Sequence, residues 1–529
     1  MKVIIPMSGM SSRFSAAGYT IPKYLIEVDD KKVIEHIVEL YPSDSEFVFI
    51  INEKHKEETN IVEVLENLVD NKTILTIPNH KKGPVYSVAN FLYVIDDNEQ
   101  VVVNYCDFSI DWDYDKFEKY VNETDCDGCV VCYTGFHPHM LGSDNYAFCR
   151  MEGDRIAEVR EKQPFTDNKM SEFASAGNYY FKKGVYLKKY FKELMEEDIS
   201  INGEYYVSLI YNLMILDGLH TNVFEIPHML QWGTPGDLDN YNSWSNYYRK
   251  ALEGQKEVKI ENCTLALPMA GAGSRFAKEG YAHPKPFIPV NGKNMVEQAV
   301  RCLPKTDRTI YACLKGHQAP SDDVVWIDKV LEGQACTTEK IVEYCGDGSI
   351  LVSACDNGVF YDVDKFLELV NDESNDIIVW TYRNNYTSKL QPNAYSWVNC
   401  DGDGTVSSVD VKNFKGDNPV ESYAITGTMF FRSKEVFNKS LKSLYKNDVR
   451  TNGEFYVDSM LNEAIKLGYK VKNFEIDNYI CWGTPNDLKT YEYWQKFFNK
   501  VSWHPYEYEK DYFTNFIYTK NNIFNCNLK

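Results

Sequence analysis

The sequence predicts an α/β fold in two tandem copies, each a mixed, mostly parallel sheet with helices on both faces. Three observations predict it. Short apolar, β-rich runs alternate with helical patterns, a series of sequence blocks recurs in the same order, and a glycine-rich loop follows the first strand of each copy. The runs KVIIPM (2–7), FVFIIN (47–52) and QVVVNYC (100–106) have the continuous apolar character of strands buried on both faces. Between them, VIEHIVELY (33–41) and NIVEVLENLVD (60–70) carry helical spacing. Strands alternating with helices build a largely parallel sheet, whose ligands bind beyond the carboxyl ends of the strands. Gly9 and Asp107 both stand at such ends.

The second copy repeats the first. IIPMSGMSSRFSAAGYTIPKYLIEV (4–28) returns as ALPMAGAGSRFAKEGYAHPKPFIPV (266–290), so Arg13 and Arg275, like Lys23 and Lys285, stand 262 residues apart. YCDFSID (105–111) answers ACDNGVF (354–360), with Asp107 and Asp356 separated by 249 residues. SAGNYYF (175–181), INGEYYV (201–207) and QWGTPGDL (231–238) match ITGTMFF (425–431), TNGEFYV (451–457) and CWGTPNDL (481–488), all at 250 residues. An ordered series of this kind is a tandem duplication, and 529 residues are too many for one hydrophobic core. The expected domains are 1–245 and 262–499. The join at 246–261 is polar and reads as a linker without an apolar period. The tail 500–529 is rich in aromatics (Trp503, Tyr506, Tyr508, Tyr512, Phe513, Phe516, Tyr518) and is expected to pack on a domain or a partner chain, since disordered tails are poor in aromatics.

Composition narrows the partners. The hydrophobic fraction of 44% and aromatic fraction of 14% fill well-packed interiors. A net charge of −21 repels phosphate polymers, which argues against nucleic acid as a partner. A single nucleotide remains feasible, because a few local cations and a metal can hold it. The start, MKVIIPMSGMSSRF, has too short an apolar run for a secretory signal. No segment approaches the roughly 18 continuous apolar residues of a membrane span. Fourteen scattered cysteines suit reduced thiols, so the expected location is cytoplasmic, with no membrane partner. Cys126, Cys129 and Cys132 are spaced like metal ligands, but VVCY is β-rich and a fourth ligand is missing, so they read as strand residues.

Chemistry concentrates in three motifs. SGMSSR (8–13) and AGAGSR (270–275) are glycine-rich loops ending in a basic residue. Their backbone N–H groups can approach a phosphate, and Arg13 or Arg275 can neutralise it. Phe14 and Phe276 stand where a dinucleotide fingerprint needs its third glycine, and no GK[ST] follows for a Walker loop. Ten residues after each arginine come Pro22-Lys23 and Pro284-Lys285, where proline fixes the backbone and lysine adds a second cation. Asp107 and Asp356 end strands, where one carboxylate plus substrate phosphates can hold Mg²⁺. Asp111-Trp112-Asp113 has no counterpart in the second copy and reads as solvated.

With the loop, arginine and Pro-Lys together in both copies, the chain resembles the sugar-phosphate nucleotidyltransferase family, whose signature is roughly G-x-G-[ST]-R followed by P-K-P. The likeness covers about residues 1–245 and 262–495. It implies a Rossmann-like, nucleotide-diphospho-sugar transferase-like fold and a Mg²⁺-dependent enzyme. Such an enzyme transfers NMP from an NTP to a small phosphorylated acceptor, usually a sugar 1-phosphate, and releases pyrophosphate. By that resemblance Ser8, Gly9, Ala270, Gly271 and Gly273 hold the nucleotide, with Gly83 and Gly333 near its base. Arg13, Lys23, Arg275 and Lys285 face phosphates, and Asp107 and Asp356 hold the metal. EVREKQP (158–164) is similar to the family's E-K-P segment, so Glu161 would accept sugar hydroxyls and Lys162 would bind the acceptor phosphate. SVDVKNF (408–414) keeps Lys412 but has Val411 for the glutamate. Gly177 and Gly427 resemble the glycine lining the acceptor pocket.

The chain also departs from the pattern. Many members carry a second metal aspartate where Gln231 and Cys481 stand here, and the first copy has Ser11 for a loop glycine and Tyr24 for a proline. Two rival readings stay open: a nucleotide-sugar-dependent glycosyltransferase, and one catalytic copy joined to a nucleotide-sensing or scaffolding copy. The base, the acceptor and whether the chain forms a homo-oligomer are left open by the sequence.

Overall fold

A computed structural model of the chain describes residues 1–142, 144–385 and 387–514. The chain divides into two compact units, residues 1–242 and residues from 243 onward.

In the first unit the strand Lys2–Met7 is buried along its whole length. It pairs in parallel with Glu46–Asn52 on one side and Val101–Asn104 on the other, and Lys72–Ile77 extends the parallel set beside Glu46–Asn52. Phe173–Phe181 runs antiparallel to Val101–Asn104 and also pairs with Gly128–Tyr133 and Ala147–Glu152. With Arg155–Glu161 and Thr221–Glu225 at the far edges, the described residues form a nine-stranded mixed sheet. The β-branched runs read as strands are these central members, for Val and Ile fit a pleat covered on both faces. Helices Val33–Val38 and Ile61–Leu68 lie where the helical spacing put them, and the second buries Ile61 and Leu65, four residues apart on one face. Ile4, Ile50, Val103 and Phe181 from the sheet join Leu187, Phe191 and Met214 from helices in one core. Each such buried side chain contributes about 1.5–3 kcal/mol.

The second unit repeats this plan. Lys259–Pro268 pairs in parallel with Lys305–Leu314 and Ser349–Val352, and Tyr423–Phe431 runs antiparallel to Ser349–Val352. Its sheet also has nine strands among the described residues. The duplication is therefore one of topology as well as sequence.

Three segments differ from expectation or refine it. Residues 246–261 are not an aperiodic linker: a helix runs Pro235–Glu253 and the strand Lys259–Pro268 follows. Trp244, Tyr248 and Ala251 are all buried, an apolar period that straddles the expected boundary. The tail packs on the second unit as far as it is described. Tyr506 meets Tyr248 at 4.6 Å between ring centroids and Phe513 meets Trp482 at 5.6 Å, while Phe516 and Tyr518 lie outside the described residues. Cys129 and Cys132 are buried thiols on the strand Gly128–Tyr133.

Candidate active site

Each loop leaves the carboxyl end of its unit's first strand and enters a short helix, Ser12–Ala16 or Ser274–Lys278. The residue at the turn is left-handed in both: Ser11 at φ 51° and Gly273 at φ 59°. For a non-glycine residue this conformation costs about 1–2 kcal/mol. Ser11 recovers part of it, because its Oγ accepts the Lys23 backbone N–H at 3.1 Å and ties the loop to Pro-Lys. Beside Gly9 and Gly271 the backbone faces open space. Ser8 is buried in a polar network: its Oγ lies 2.6 Å from Ser87 Oγ, which is 3.0 Å from His80 Nε2. Ala270 replaces Ser8 in the second copy.

The Pro-Lys lysine reaches the strand-end aspartate. Lys23 Nζ donates to Asp107 Oδ2 at 2.7 Å, and Lys285 makes the same ion pair with Asp356. Burial alone would favour the neutral amines, but the carboxylates more than offset this and hold both lysines above their ordinary value. The G-T-P segments close over the pairs. The Trp232 backbone N–H donates to Asp107 O at 3.0 Å and the Trp482 backbone N–H to Asp356 O at 2.8 Å. A Cβ at Gly233 would stand 3.1 Å from Asp107 Oδ2, so the turn lies directly on the carboxylate.

This closure brings in two carboxylates that the sequence reading did not single out. Asp237 and Asp487 each accept the N-cap threonine hydroxyl, from Thr234 at 2.6 Å and Thr484 at 2.7 Å. Burial pushes Asp237 up to about 6, against the Thr234 hydrogen bonds, and the Asp107 charge adds to the rise. Asp487 is raised chiefly by burial too, with Asp356 contributing. The sequence signal was the spacing G-T-P-x-D, present in both repeats. Gln231 and Cys481 supply no second carboxylate, but Asp237 and Asp487 bring one into the field of Asp107 and Asp356. Among the described residues no group of three or more His, Cys, Asp or Glu could hold a metal alone. The carboxylates that could take part in holding a hard dication are Asp107 with Asp237 and Asp356 with Asp487.

Lys162 and Lys412, expected to face the acceptor, both adopt positive φ, 58° and 51°. Lys162 Nζ donates to Tyr206 OH at 2.5 Å, and Tyr206 in turn donates to Glu204. Lys412 lies 5.7 Å from the Tyr456 ring and donates to Ala394 O. Arg13 is exposed, yet its charge acts on Tyr206, Lys23 and Asp237, which links the loop to the segment that holds Lys162. Arg275 acts likewise on Tyr456. Tyr206 and Tyr456 belong to the repeated N-G-E-[YF]-Y segment, whose only signal in the sequence is its recurrence. Glu161 is raised by burial, and its Oε2 accepts from Ser208 Oγ at 2.6 Å.

The glycines are placed differently. Gly83 and Gly333 dock against the backbone of Tyr205 and Phe455. Gly177 faces the Phe108 ring and Gly427 faces Ala354. Asp111 is not solvated as expected, because antiparallel pairing sets it opposite His228, whose Nδ1 lies 3.1 Å from Asp111 Oδ2.

A family model described as the MobA-like NTP transferase domain matches residues 3–166. No curated protein matches the chain significantly. Among solved structures, the chain is similar to the nucleoside-diphosphate-sugar pyrophosphorylase from Vibrio cholerae RC9, at 24% identity over 45% of this chain and 98% of that one, TM-score 0.38. It is also similar to a putative glucose-1-phosphate thymidylyltransferase from Bacillus anthracis, at 16% identity over 46% and 93%, TM-score 0.36. The inositol-1-phosphate CTP transferase from T. maritima matches at 20% identity over 47% and 99%, TM-score 0.35.

Proposed function

We propose, from the match of residues 3–166 to a MobA-like NTP transferase domain model, that the chain is a nucleotidyltransferase with two active sites. Each site transfers NMP from an NTP to a small phosphorylated acceptor, of which a sugar 1-phosphate is the leading candidate, and yields an activated nucleotide sugar. The observation that carries this reading is the lysine–aspartate pair beside a glycine-rich loop, built twice with the same partners.

An acceptor phosphate oxygen attacks the α-phosphorus of the NTP, the bond to the bridging oxygen breaks, and pyrophosphate leaves. Little covalent help is needed, so catalysis is positioning and charge neutralisation. Arg13 and Lys23, or Arg275 and Lys285, offset the triphosphate charge. Lys162 and Lys412 hold the acceptor phosphate, which is already ionised and needs no general base. Asp107 with Asp237, and Asp356 with Asp487, would hold Mg²⁺, which when bound neutralises phosphate oxygens.

The test is pyrophosphate release across a matrix of NTPs and phosphorylated acceptors, with Asp107→Ala and Asp356→Ala each assayed against the full panel. Complementary losses of acceptor use support two specialised sites. If one variant loses everything and the other nothing, one unit is non-catalytic. Full turnover in excess EDTA rules out the metal-dependent reading.

A further inference from the structure

The second unit has Val411 where the first has Glu161, and Asp458 where the first has Ser208. In the first unit Asn212 clamps the strand Arg155–Glu161: Val159 N–H donates to Asn212 Oδ1, and Asn212 Nδ2 donates to Val159 O, both at 2.8 Å. In the second unit Asn462 makes the identical pair with Val409, again at 2.8 Å both ways. Strand and helix therefore share one register in both units, and the pair 161/208 corresponds to the pair 411/458. In the first unit that pair is Glu161 with Ser208, in hydrogen-bond contact at 2.6 Å. In the second it is Val411 with Asp458.

Asp458 is 8% exposed, and among the described residues it accepts no side-chain hydrogen bond and forms no ion pair. An aspartate in place of Ser208 carries its oxygens one bond farther from the backbone than the hydroxyl that meets Glu161 in the first unit. Its charge acts on Tyr456, two residues away, as do those of Glu454 and Arg275. A neighbouring side chain is also smaller. Tyr105, close enough to Glu161 and Tyr206 to feel their charges, is replaced by the half-buried Ala354. Asp458 stands in the first turn of the helix Val457–Lys466, where the helix N-terminus favours a carboxylate.

We infer that Asp458 is the acceptor-binding carboxylate of the second unit, receiving hydroxyl hydrogen bonds from a phosphorylated polyol or sugar bulkier than the one Glu161 receives. This assignment rests on the nucleotidyl-transfer reading above. Val411 does not empty the second pocket of acceptors; the carboxylate approaches from the helix Val457–Lys466 instead of the strand end.

The test uses the full chain, with hexose 1-phosphates, inositol 1-phosphate, glycerol phosphate and phosphocholine as probes. The activity removed by Asp356→Ala defines the second site. For that activity, Asp458→Asn, which keeps shape and helix position, is expected to raise acceptor KM about tenfold or more while NTP KM holds within about twofold. The exchange Val411→Glu with Asp458→Ser is expected to recover acceptor binding and shift preference toward the first site's probes. Unchanged acceptor KM in Asp458→Asn with an unchanged melting temperature overturns the assignment. Activity confined to phosphocholine, which offers no hydroxyl, overturns it as well. If Asp356→Ala removes no activity, the nucleotidyl-transfer reading of this unit fails and the assignment falls with it.

Discussion

Asp237 sits in an environment that disfavours its own charge. Its ordinary value is 3.8, and burial raises it to about 6 in the folded state. A carboxyl whose folded value is raised supports the fold below its unfolded value, and that support is lost as pH climbs through the folded one. The window here runs from about pH 4 to pH 6. Asp237→Asn removes the ionisation and can still accept from Thr234. It is expected to stabilise the metal-free first unit by up to about 3 kcal/mol at pH 8, with the gain vanishing near pH 4. Urea unfolding in EDTA at both pH values checks this, and equal stability at pH 8 refutes a buried, uncompensated carboxylate. The same residue marks how far single residues were legible. Lys23 and Asp107 could be read because their motifs recur beside a glycine-rich loop. Asp237 could not, because an acid three residues after a threonine at a helix start reads as a capping residue, and its nearness to Asp107 depends on pairing between His228–Gln231 and Phe108–Asp111.

Between residues and units, two elements are joined through glycines. Tyr205 N–H donates to Lys82 O at 2.9 Å and Val85 N–H to Tyr205 O at 3.2 Å, so the helix Gly83–Ala89 starts on the backbone of the N-G-E-Y-Y segment. A Cβ at Gly83 would stand 2.7 Å from both Tyr205 N and O, and one at Gly333 would stand 2.4 Å from Phe455 O. Both glycines also have positive φ, so a side chain meets backbone strain as well as a clash. Gly83→Ala is expected to cost more than about 1 kcal/mol, lowering the first unit's melting temperature by several degrees. Acceptor KM should rise with it, because Tyr206 next door holds Lys162. Gly9→Ala, where a Cβ meets open space, is the stability control; equal melting temperatures for the two variants would contradict the docking. Elements were the most legible scale, since a buried parallel strand announces itself as an unbroken β-branched run. The exception is the helix to Glu253, whose period spans Trp244 to Ala251 and is cut if a linker starts at 246.

At the scale of the whole molecule, the duplicated units carry opposite responses to acid. In the first unit His36, His55, His80, His137 and His139 are all held below the ordinary imidazole value, chiefly by burial. His137 falls to about 3, with its ring 4.3 Å from that of Tyr133. A histidine kept neutral by the fold supports it above the unfolded value of 6.5, and that support is lost as pH falls toward the folded value. Between pH 7.5 and pH 5, His137 alone withdraws about 2 kcal/mol. Asp237 and Glu161 work against this, because protonation relieves both. In the second unit the burial-shifted acids Asp487, Glu492 and Asp511 are raised, so acid relieves them. Acidification to pH 5 is therefore expected to lower the stability of residues 1–242 by several degrees of melting temperature, while residues from 243 onward hold or gain. Hydrogen exchange followed by mass spectrometry reads each unit from its own peptides, and His137→Phe, which cannot protonate, should remove His137's share of the shift. A first unit that keeps full protection at pH 5 would mean that these imidazoles protonate without loss, and that burial does not hold them neutral.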